Sequence, residues 1–295
     1  MTAIPAAVTA MAARGPDWSA WVDGLAPTLR NLFAQWNLRP EGTPTNGHCS
    51  VVVPVRTADD ASAVLKVGFP DEESEHEHIA LRRWGGRGAV HLLAADPRVR
   101  ALLLERLGPD DLRAVSDLQA CRVVAGLYGR LHVPASPRVR PLSSAVARWT
   151  TELAELPRAA PIPRRLVEQA VALGRDLAGD RAVADRLLHT DLHYGNVLAG
   201  SREPWLVIDP KPLNGDPHYE IAPMLWNRWE DIAGDVRAGV CRRFAVLVDA
   251  AGFDAERARA WVVVRMMHNA ASALTDGADP RWLTTCVAVA KAVQS

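Results

Sequence analysis

The stretch from Leu187 to Asp216 constrains the fold of this chain more than any other part of the sequence. Two short apolar segments, Val197–Leu198 and Trp205–Ile208, are separated by a polar turn, Gly-Ser-Arg-Glu-Pro. Apolar segments on either side of a short polar turn are typical of a β-hairpin. Because a hairpin carries the chain out and back, we expect Asp209, after the second strand, to return close to Asn196, before the first.

The same stretch gathers oxygen-bearing side chains that suit one kind of chemistry. It contains His189-Thr-Asp191 followed by Asn196, and the predicted hairpin adds Asp209. A carboxylate can accept or orient the proton of a hydroxyl group. Amide and carboxylate oxygens are ligands that suit Mg²⁺. The pattern therefore fits a hydroxyl nucleophile and a magnesium-bound triphosphate, with Asp191 as the base and Asn196 and Asp209 as metal ligands.

The amino-acid sequence of this stretch resembles that of known kinases. The order His-x-Asp-x-x-x-x-Asn, then a hairpin, then Asp is similar to the catalytic loop and metal-binding aspartate of protein kinases. The fuller sequence His-Thr-Asp-Leu-His-Tyr-Gly-Asn-Val-Leu, with Ile-Asp-Pro and Gly-Asp-Pro behind it, is closer to the aminoglycoside phosphotransferase family. It looks most like the streptomycin 6-kinase and hydroxyurea kinase branch. The resemblance covers the chain from about Trp36 onward and is densest between Leu187 and Trp229.

This resemblance implies an α+β, two-lobed protein-kinase-like fold. Residues 1–107 would form a nucleotide-binding lobe with a small antiparallel sheet and a leading helix. Residues 108–295 would form a mostly helical lobe for catalysis and substrate binding. The implied activity is transfer of the γ-phosphoryl group of ATP, with Mg²⁺, to a hydroxyl group of an antibiotic, an aminoglycoside such as streptomycin. Hydroxyurea or another small metabolite is the alternative acceptor of the same fold.

The resemblance also implies roles for residues around the loop. His189 would support the loop by hydrogen bonding rather than transfer protons to or from the substrate. Asp216, in Gly-Asp-Pro, would hold the loop through backbone N–H bonds, and it could also cap a helix that begins at Pro217. Pro-Lys follows Asp209 where protein kinases have Phe-Gly, so a Phe-based activation switch is absent. A constitutively active small-molecule kinase is therefore expected.

Residues upstream of this stretch are expected to bind the nucleotide. Lys66 ends a predicted strand and resembles the kinase lysine that contacts the α- and β-phosphates. Several acids in a helix predicted over Asp71–Trp84 could pair with it: Glu72, Glu73, Glu75 and Glu77. Glu77 is favoured because it stands four residues before Leu81, as the paired glutamate does in the family.

Two further segments are implied to contact the nucleotide through their backbone. The loop before the first long strand would offer N–H groups to the phosphates, although it departs from the G-x-G-x-x-G pattern. Its residues are Asn46, Gly47, His48, Cys49 and Ser50. Glu105 and Leu107 stand at the expected hinge, whose backbone groups would bond the adenine edge.

The acceptor site is less constrained by the sequence. A cationic aminoglycoside would need carboxylates near Asp191, whereas hydroxyurea would need a tight polar pocket. The candidates for acceptor contacts are His193, Asp216, Glu220, Trp226, Asn227, Trp229, Glu230, Asp231, Asp276 and Asp279. Each carboxylate could instead be a solvated helix residue, and each tryptophan a packing residue.

A different class of enzyme is also compatible with part of the motif. His189-x-Asp191-x-His193 alternates metal-binding side chains, which a strand would direct to one face, as in metal-dependent hydrolases. Such sites need further ligands, and His218 and His268 stand alone in the sequence. A third interpretation is a module that binds a nucleotide without catalysis. Such a module would not need the full set of catalytic and metal-binding side chains, so their presence argues against it.

Composition excludes several other classes of function. The formal net charge of the 295 residues is zero, so neither nucleic acid nor a membrane surface is expected as a partner. The four cysteines form no C-x-x-C pair. From the residue pattern we expect neither a signal peptide nor a membrane-spanning segment. A cytoplasmic monomer is expected.

Outside the motif, periodicity predicts local structure. A mobile tail is expected before about Gly15, and a long helix over Leu112–His132. An amphipathic helix is expected to carry the apolar stripe Trp21, Leu25, Leu29, Phe33 and Trp36.

Overall fold

The fold was obtained as a computed structural model, which describes residues 4–180, 183, 185–275, 277 and 279–295. Asp276, one of the candidates for acceptor contacts, lies outside the described residues. The chain divides into two units, Met1–Gly108 and Pro109–Ser295.

Within its described residues, the first unit is built on an antiparallel sheet of six strands. These are β1 (Arg39–Pro40), β2 (Thr45–Asn46), β3 (Ser50–Arg56), β4 (Ser62–Gly68), β5 (Leu92–Asp96) and β6 (Ala101–Glu105). The order is β1-β3-β4-β6-β5, with β2 also paired to β3. Alternate residues of β3, namely Val51, Val53 and Val55, are fully buried, because successive side chains of a strand point to opposite faces.

Within the described residues before Gly15, short helices replace the expected mobile tail. Helix α1 (Ala6–Thr9) runs directly into a 3₁₀ helix, Ala10–Arg14. Val8 is fully buried in the same hydrophobic cluster as strands β3 and β4. The prediction was wrong because this apolar side chain, in a run of small residues, packs against the sheet.

Helix α2 (Pro16–Gln35) confirms the predicted amphipathic helix, with proline in the position that favours a helix start. Leu25, Leu29 and Leu32 are buried in the cluster beside the sheet, while Trp21, Phe33 and Trp36 pack at its edge. The buried stripe is therefore centred on the leucines.

Helix α3 (Glu77–Trp84) is shorter than the helix predicted over Asp71–Trp84. The preceding residues form turns, and the Asp71 carboxylate accepts the N–H of Ser74 at 2.7 Å. An aspartate that bonds a nearby backbone N–H offers an alternative to the helical bond, which explains the late start.

Helices make up most of the described part of the second unit. They are α4 (Asp117–Leu131), α5 (Leu142–Glu155), α6 (Arg164–Gly179), α7 (Ala222–Trp226), α8 (Val236–Ala251), α9 (Ala255–Thr275) and α10 (Pro280–Ala292). Helix α4 starts later than predicted because Leu112–Ala114 forms a separate 3₁₀ turn, in which the Asp111 carboxylate accepts the N–H of Arg113 at 2.8 Å. Across the described residues, none of the helices has the length and hydropathy to cross a bilayer.

Four short strands of the second unit position the motif. Strand β7 (Arg186–Leu188) pairs antiparallel with β10 (Leu213–Gly215). Strand β8 (Val197–Ala199) pairs with β9 (Trp205–Val207), with Val197 opposite Val207. The predicted hairpin is confirmed.

A half-buried histidine of helix α9 packs against an aromatic ring of helix α5. The imidazole of His268 stacks on Trp149, with ring centroids 4.1 Å apart. Burial, aided by the positive charges of Arg265 and Arg148, lowers the pKa of His268 to about 4. The unfolded chain has a pKa near 6.5, so it binds more protons than the folded protein between these two values. Stability therefore falls as pH decreases through this window.

We predict that His268→Phe weakens the pH dependence of stability, because phenylalanine keeps the stacking on Trp149 but cannot be protonated. Between about pH 7 and about pH 4.5, the wild-type free energy of unfolding should fall by on the order of 2 kcal/mol more than that of the variant. Urea denaturation at the two pH values measures this difference. The control His91→Gln, at an exposed position, should behave like wild type. Equal pH dependence in His268→Phe and wild type would contradict the prediction.

Candidate active site

The loop between β7 and β8 is fixed by a fully buried histidine. The Nδ1 atom of His189 accepts the N–H of Asp191 at 3.2 Å, and its Nε2 atom lies 2.9 Å from the carbonyl oxygen of Ile208. These bonds require the tautomer that carries its proton on Nε2. His189 thus connects the loop to the end of β9 and directs the backbone at Asp191.

The hairpin brings an amide and a second carboxylate next to this loop. The side-chain N–H of Asn196 donates to the carbonyl oxygen of Asp191 at 2.9 Å, and the carbonyl oxygen of Asn196 accepts the N–H of Ile208 at 2.9 Å. Asp209 follows Ile208 directly. Because the amide nitrogen of Asn196 is engaged by the loop, its amide oxygen is the atom that can bind a cation beside the Asp209 carboxylate.

Two residues of the site have left-handed backbone conformations. Thr190 has a φ of 62° and Asp209 a φ of 56°. Such conformations cost on the order of 1 kcal/mol or more for residues other than glycine, so surrounding bonds must hold them. The Thr190 hydroxyl donates to the carbonyl oxygen of Lys211 at 2.5 Å, which ties the two strained segments together.

Glu220, expected as an acceptor contact, is instead the residue that holds the loop. Its side chain is fully buried, and its two carboxylate oxygens accept the N–H groups of His189 at 2.5 Å and Thr190 at 3.2 Å. His132 Nε2 lies 3.7 Å from the carboxylate, beyond hydrogen-bond length. Burial opposes ionisation, but His132 and the bond from His189 keep the pKa of Glu220 below its ordinary value. The expectation of a substrate role is therefore wrong.

Asp216 does not hold the loop, and that prediction is wrong as well. Its carboxylate accepts the backbone N–H of His218 at 3.0 Å and the indole N–H of Trp261 at 2.6 Å, and it pairs with Arg257. It caps the 3₁₀ helix Pro217–Ile221, the plainer of the two roles considered for it. Although burial opposes ionisation, His218 and Trp261 lower the pKa of Asp216 to about 2. The carboxylate is saturated by these donors, so an acceptor contact is excluded too.

Lys211 belongs to the site, although no role was predicted for it from the sequence. Its Nζ atom lies 3.4 Å from the Asp191 carboxylate, and its backbone N–H donates to the carbonyl oxygen of His189 at 2.9 Å. A signal was present in the sequence, since Lys211 stands two residues after Asp209 in a chain with only three lysines.

His193 is positioned by its own turn. Its Nδ1 atom accepts the N–H of Gly195 at 3.1 Å. Burial, which outweighs the attraction of Asp191 and Asp209, lowers the pKa of His193, so the ring is neutral at pH 7. With His189 committed to backbone partners through both nitrogens, the geometry does not support the hydrolase interpretation. The described residues contain no group of three histidine, cysteine or acidic side chains that could hold a metal ion.

The first unit contains a buried ion pair. Lys66 Nζ lies 2.7 Å and 2.8 Å from the two carboxylate oxygens of Glu77, and their side chains are 12% and 5% exposed. Lys66 is on β4, and Glu77 is the first residue of α3. Of the four acids considered, Glu77 is the one placed against Lys66. A buried pair of this kind fixes the position of the ammonium group.

The loop from Asn46 to Ser50 is a tight turn. The N–H of Gly47 donates to the carbonyl oxygen of Ser50 at 2.9 Å, and a Cβ atom at Gly47 would lie 2.5 Å from the Ser50 hydroxyl. A side chain at this position would therefore require the Ser50 hydroxyl to move. The Gly47 N–H is used within the turn and is not available to phosphates, contrary to our expectation for this residue. The carbonyl oxygen of His48 accepts a bond from Arg14 at 3.3 Å.

The expected hinge begins at the end of β6. The Glu105 carboxylate accepts the N–H of His91 at 2.8 Å, and the Glu105 N–H donates to the carbonyl oxygen of His91 at 3.0 Å. Leu107 is half-buried just beyond the strand. These bonds fix the chain direction as it leaves β6.

Several candidates for acceptor contacts are committed to structural roles. The side-chain N–H of Asn227 donates to the carbonyl oxygen of Pro223 at 2.9 Å at the end of α7. Asp231 pairs with Arg228. The Asp279 carboxylate accepts the N–H of Arg281 at the start of α10. Of the two acids among them, Asp231 has its charge compensated by the guanidinium group of Arg228.

Other candidates remain accessible. Glu230 is exposed and Trp229 is partly exposed. Trp226 packs edge-on against Trp282 at 5.6 Å between centroids and carries the guanidinium group of Arg265 at 5.1 Å. An aromatic surface with a positive neighbour, rather than a cluster of acids, characterises this part of α7.

We predict that Glu220→Gln destabilises the protein, because an amide cannot accept both N–H groups as the carboxylate does. The free energy of unfolding should fall by about 2–3 kcal/mol, the usual loss for buried bonds to a charged group. Urea denaturation tests the stability, and amide hydrogen exchange should show faster exchange at His189 and Thr190. The matched control is Glu230→Gln at an exposed site. Unchanged exchange at these two amides would contradict the assigned role.

Comparisons with known proteins identify the family of this chain. Residues 35–277 match the family described as aminoglycoside/hydroxyurea antibiotic resistance kinase. The chain is 40% identical to streptomycin 6-kinase of Streptomyces glaucescens over 298 residues, which cover 97% of this chain and 95% of the relative. It is 43% identical to hydroxyurea phosphotransferase of Kitasatospora aureofaciens over 269 residues, which cover 87% of this chain and 75% of the relative.

A solved structure shows the same fold. It is a thermostable mutant of the aminoglycoside phosphotransferase APH(4)-Ia in a ternary complex with ADP and hygromycin B, with a TM-score of 0.58. The match covers 89% of this chain and 97% of that chain at 18% identity. It confirms the predicted protein-kinase-like fold. Since the family match spans most of the sequence and the relatives are similar over nearly all of it, the chain belongs to the aminoglycoside/hydroxyurea antibiotic resistance kinase family.

Proposed function

We propose that the protein transfers the γ-phosphoryl group of ATP to a hydroxyl group of an antibiotic, an aminoglycoside such as streptomycin. The observation that carries this proposal is the loop in which Asp191, Asn196 and Asp209 are held together by backbone bonds. The names of the similar proteins, a streptomycin 6-kinase and a hydroxyurea phosphotransferase, support the same reaction class.

In the proposed reaction, Asp191 orients the acceptor hydroxyl and takes its proton. The hydroxyl oxygen forms a bond to the γ-phosphorus, the bond from that phosphorus to the oxygen bridging to the β-phosphate breaks, and ADP leaves. Phosphoryl transfer has a loose transition state, so positioning and charge neutralisation matter more than the strength of the base. The Asp191 side chain is 21% exposed, which suits a group that must meet a substrate.

Asn196 and Asp209 fit a magnesium ion. Both offer hard oxygen atoms, and the bond from the Asn196 amide nitrogen to Asp191 leaves the amide oxygen as the ligand. When bound, Mg²⁺ neutralises phosphate charge. The strained backbone at Asp209 supports a functional role, because such strain is commonly retained at sites of chemistry.

In the first unit, we propose that Lys66 contacts the α- and β-phosphates. Glu77 keeps its ammonium group in one position at 2.7 Å. The turn at Asn46, Gly47, His48 and Ser50 would lie over the phosphates, with Gly47 serving the turn itself. Backbone groups of Glu105 and Leu107 would bind the adenine edge.

Hydroxyurea or a related small molecule is the second candidate acceptor. A relative at 43% identity is named a hydroxyurea phosphotransferase. The structure also favours it in one respect, since Asp231 is neutralised by Arg228 and Glu220 is buried, so these acids do not attract a cationic antibiotic. His193, Trp226 and Glu230 remain the proposed acceptor contacts.

We predict that Asp191→Ala lowers turnover by about 100- to 10,000-fold, the usual contribution of a positioned general base. The dissociation constant for ADP should stay within about threefold of wild type, because the base does not bind the nucleotide. ADP release with Mg-ATP, measured against a panel of aminoglycosides and hydroxyurea, tests both the activity and the acceptor. The control Asp249→Ala, at an exposed position of α8, should behave like wild type.

Two results would contradict this function. Full activity in Asp191→Ala would exclude the proposed base. Turnover without nucleotide but with added zinc or manganese would favour a metal-dependent hydrolase.

A further inference from the structure

We propose that Lys211 is a catalytic residue, whose ammonium group orients Asp191 before the reaction and neutralises the phosphoryl group during transfer. This inference rests on the proposed kinase function and adds a cation to the loop of the second unit. It starts from the 3.4 Å separation between Lys211 Nζ and the Asp191 carboxylate.

The backbone N–H and carbonyl groups of Lys211 are bonded to the two residues that precede Asp191. Its N–H donates to the carbonyl oxygen of His189 at 2.9 Å, and its carbonyl oxygen accepts the Thr190 hydroxyl at 2.5 Å. Pro210 precedes it with a restricted φ. The origin of the lysine side chain is therefore fixed relative to Asp191, as positioning in a reaction requires.

The ion pair itself explains little of the stability of the loop. The Lys211 and Asp191 side chains are 36% and 21% exposed, and partly exposed pairs contribute little to folding. The backbone bonds to His189 and Thr190 already hold the segment. Because the Lys211 side chain is long and its ion pair is partly exposed, its ammonium group can move from the Asp191 carboxylate to an incoming anionic group.

The ammonium group of Lys211 can reduce the repulsion between the negative groups of the site during the reaction. Asp191 and Asp209 are both negative, and the transferred phosphoryl group is negative as well. A cation next to the base reduces repulsion as these groups approach, and charge that is already in place counts most in the transition state.

The choice of lysine fits this role. The sequence has only three lysines among its 34 basic residues: Lys66, Lys211 and Lys291. A lysine carries a compact positive charge at the end of a flexible side chain. Its ammonium group can bind one phosphoryl oxygen and is narrower than a guanidinium group. Lys291 is exposed near the end of α10 and provides a matched control.

The test uses the full chain with Lys211→Met, Lys211→Arg and the control Lys291→Met. In Lys211→Met, kcat for ADP release should fall by about 100-fold or more, the usual effect of removing one such group. The KM values for ATP and acceptor should stay within about threefold, because the contact forms in the transition state. Lys211→Arg should recover at least about a tenth of wild-type kcat, since it keeps the charge. The melting temperatures of all three variants should lie within about 3 °C of wild type.

The inference is overturned if kcat of Lys211→Met stays within about threefold of wild type, if the loss appears only in KM, or if Lys211→Arg is as inactive as Lys211→Met. A loss of activity that accompanies a large drop in melting temperature would also overturn it, because it would assign Lys211 a structural role. Failure of the proposed function is a separate result, since the wild-type protein would then release no ADP with any acceptor.

Discussion

Two hydrogen bonds, from backbone N–H groups to one buried carboxylate, hold the loop that carries Asp191. Glu220 accepts from His189 and Thr190, and burial of a charged group without such partners would cost several kcal/mol. Thr190 can therefore remain in a left-handed conformation, and its hydroxyl can hold Lys211. Because His189 and Thr190 directly precede Asp191, the direction of Asp191 depends on Glu220 through the backbone of these two residues.

The sequence predicted the parts of the fold that depend on local pattern. The hairpin of β8 and β9 and the apolar stripe of α2 are confirmed, because turn residues and periodicity specify them locally. The fold class, which the family resemblance implied, is confirmed as well. The predictions from the sequence were wrong where tertiary or side-chain contacts determine the local structure. Val8 lies in a run of small residues and is buried only because the sheet covers it. The late start of α3 follows from a side-chain bond of Asp71, which periodicity cannot detect.

The same distinction applies to the candidate site. Its acids and amide were identified from spacing, and the structure also places Glu77, favoured by its spacing, against Lys66. The role of holding the loop, expected for Asp216, belongs to Glu220. Asp216 caps the 3₁₀ helix Pro217–Ile221 and Glu220 lies within it, so only tertiary contacts distinguish the two acids. Lys211 was missed because its contact with the Asp191 carboxylate joins residues that are far apart in the motif. The residues proposed for phosphoryl transfer thus depend on main-chain bonds, whereas Trp226, proposed for the acceptor, is placed by aromatic and cation–π contacts.

The fixed loop has a consequence for inhibition. Its conformation is set by bonds from Glu220, His189 and Asn196 to the main chain, so a compound that complements it loses little affinity to ordering of the protein. Escape from such a compound by rearrangement of the loop would have to break the same bonds that direct Asp191. Variants that resist inhibition are therefore expected to carry their changes on the surrounding helices.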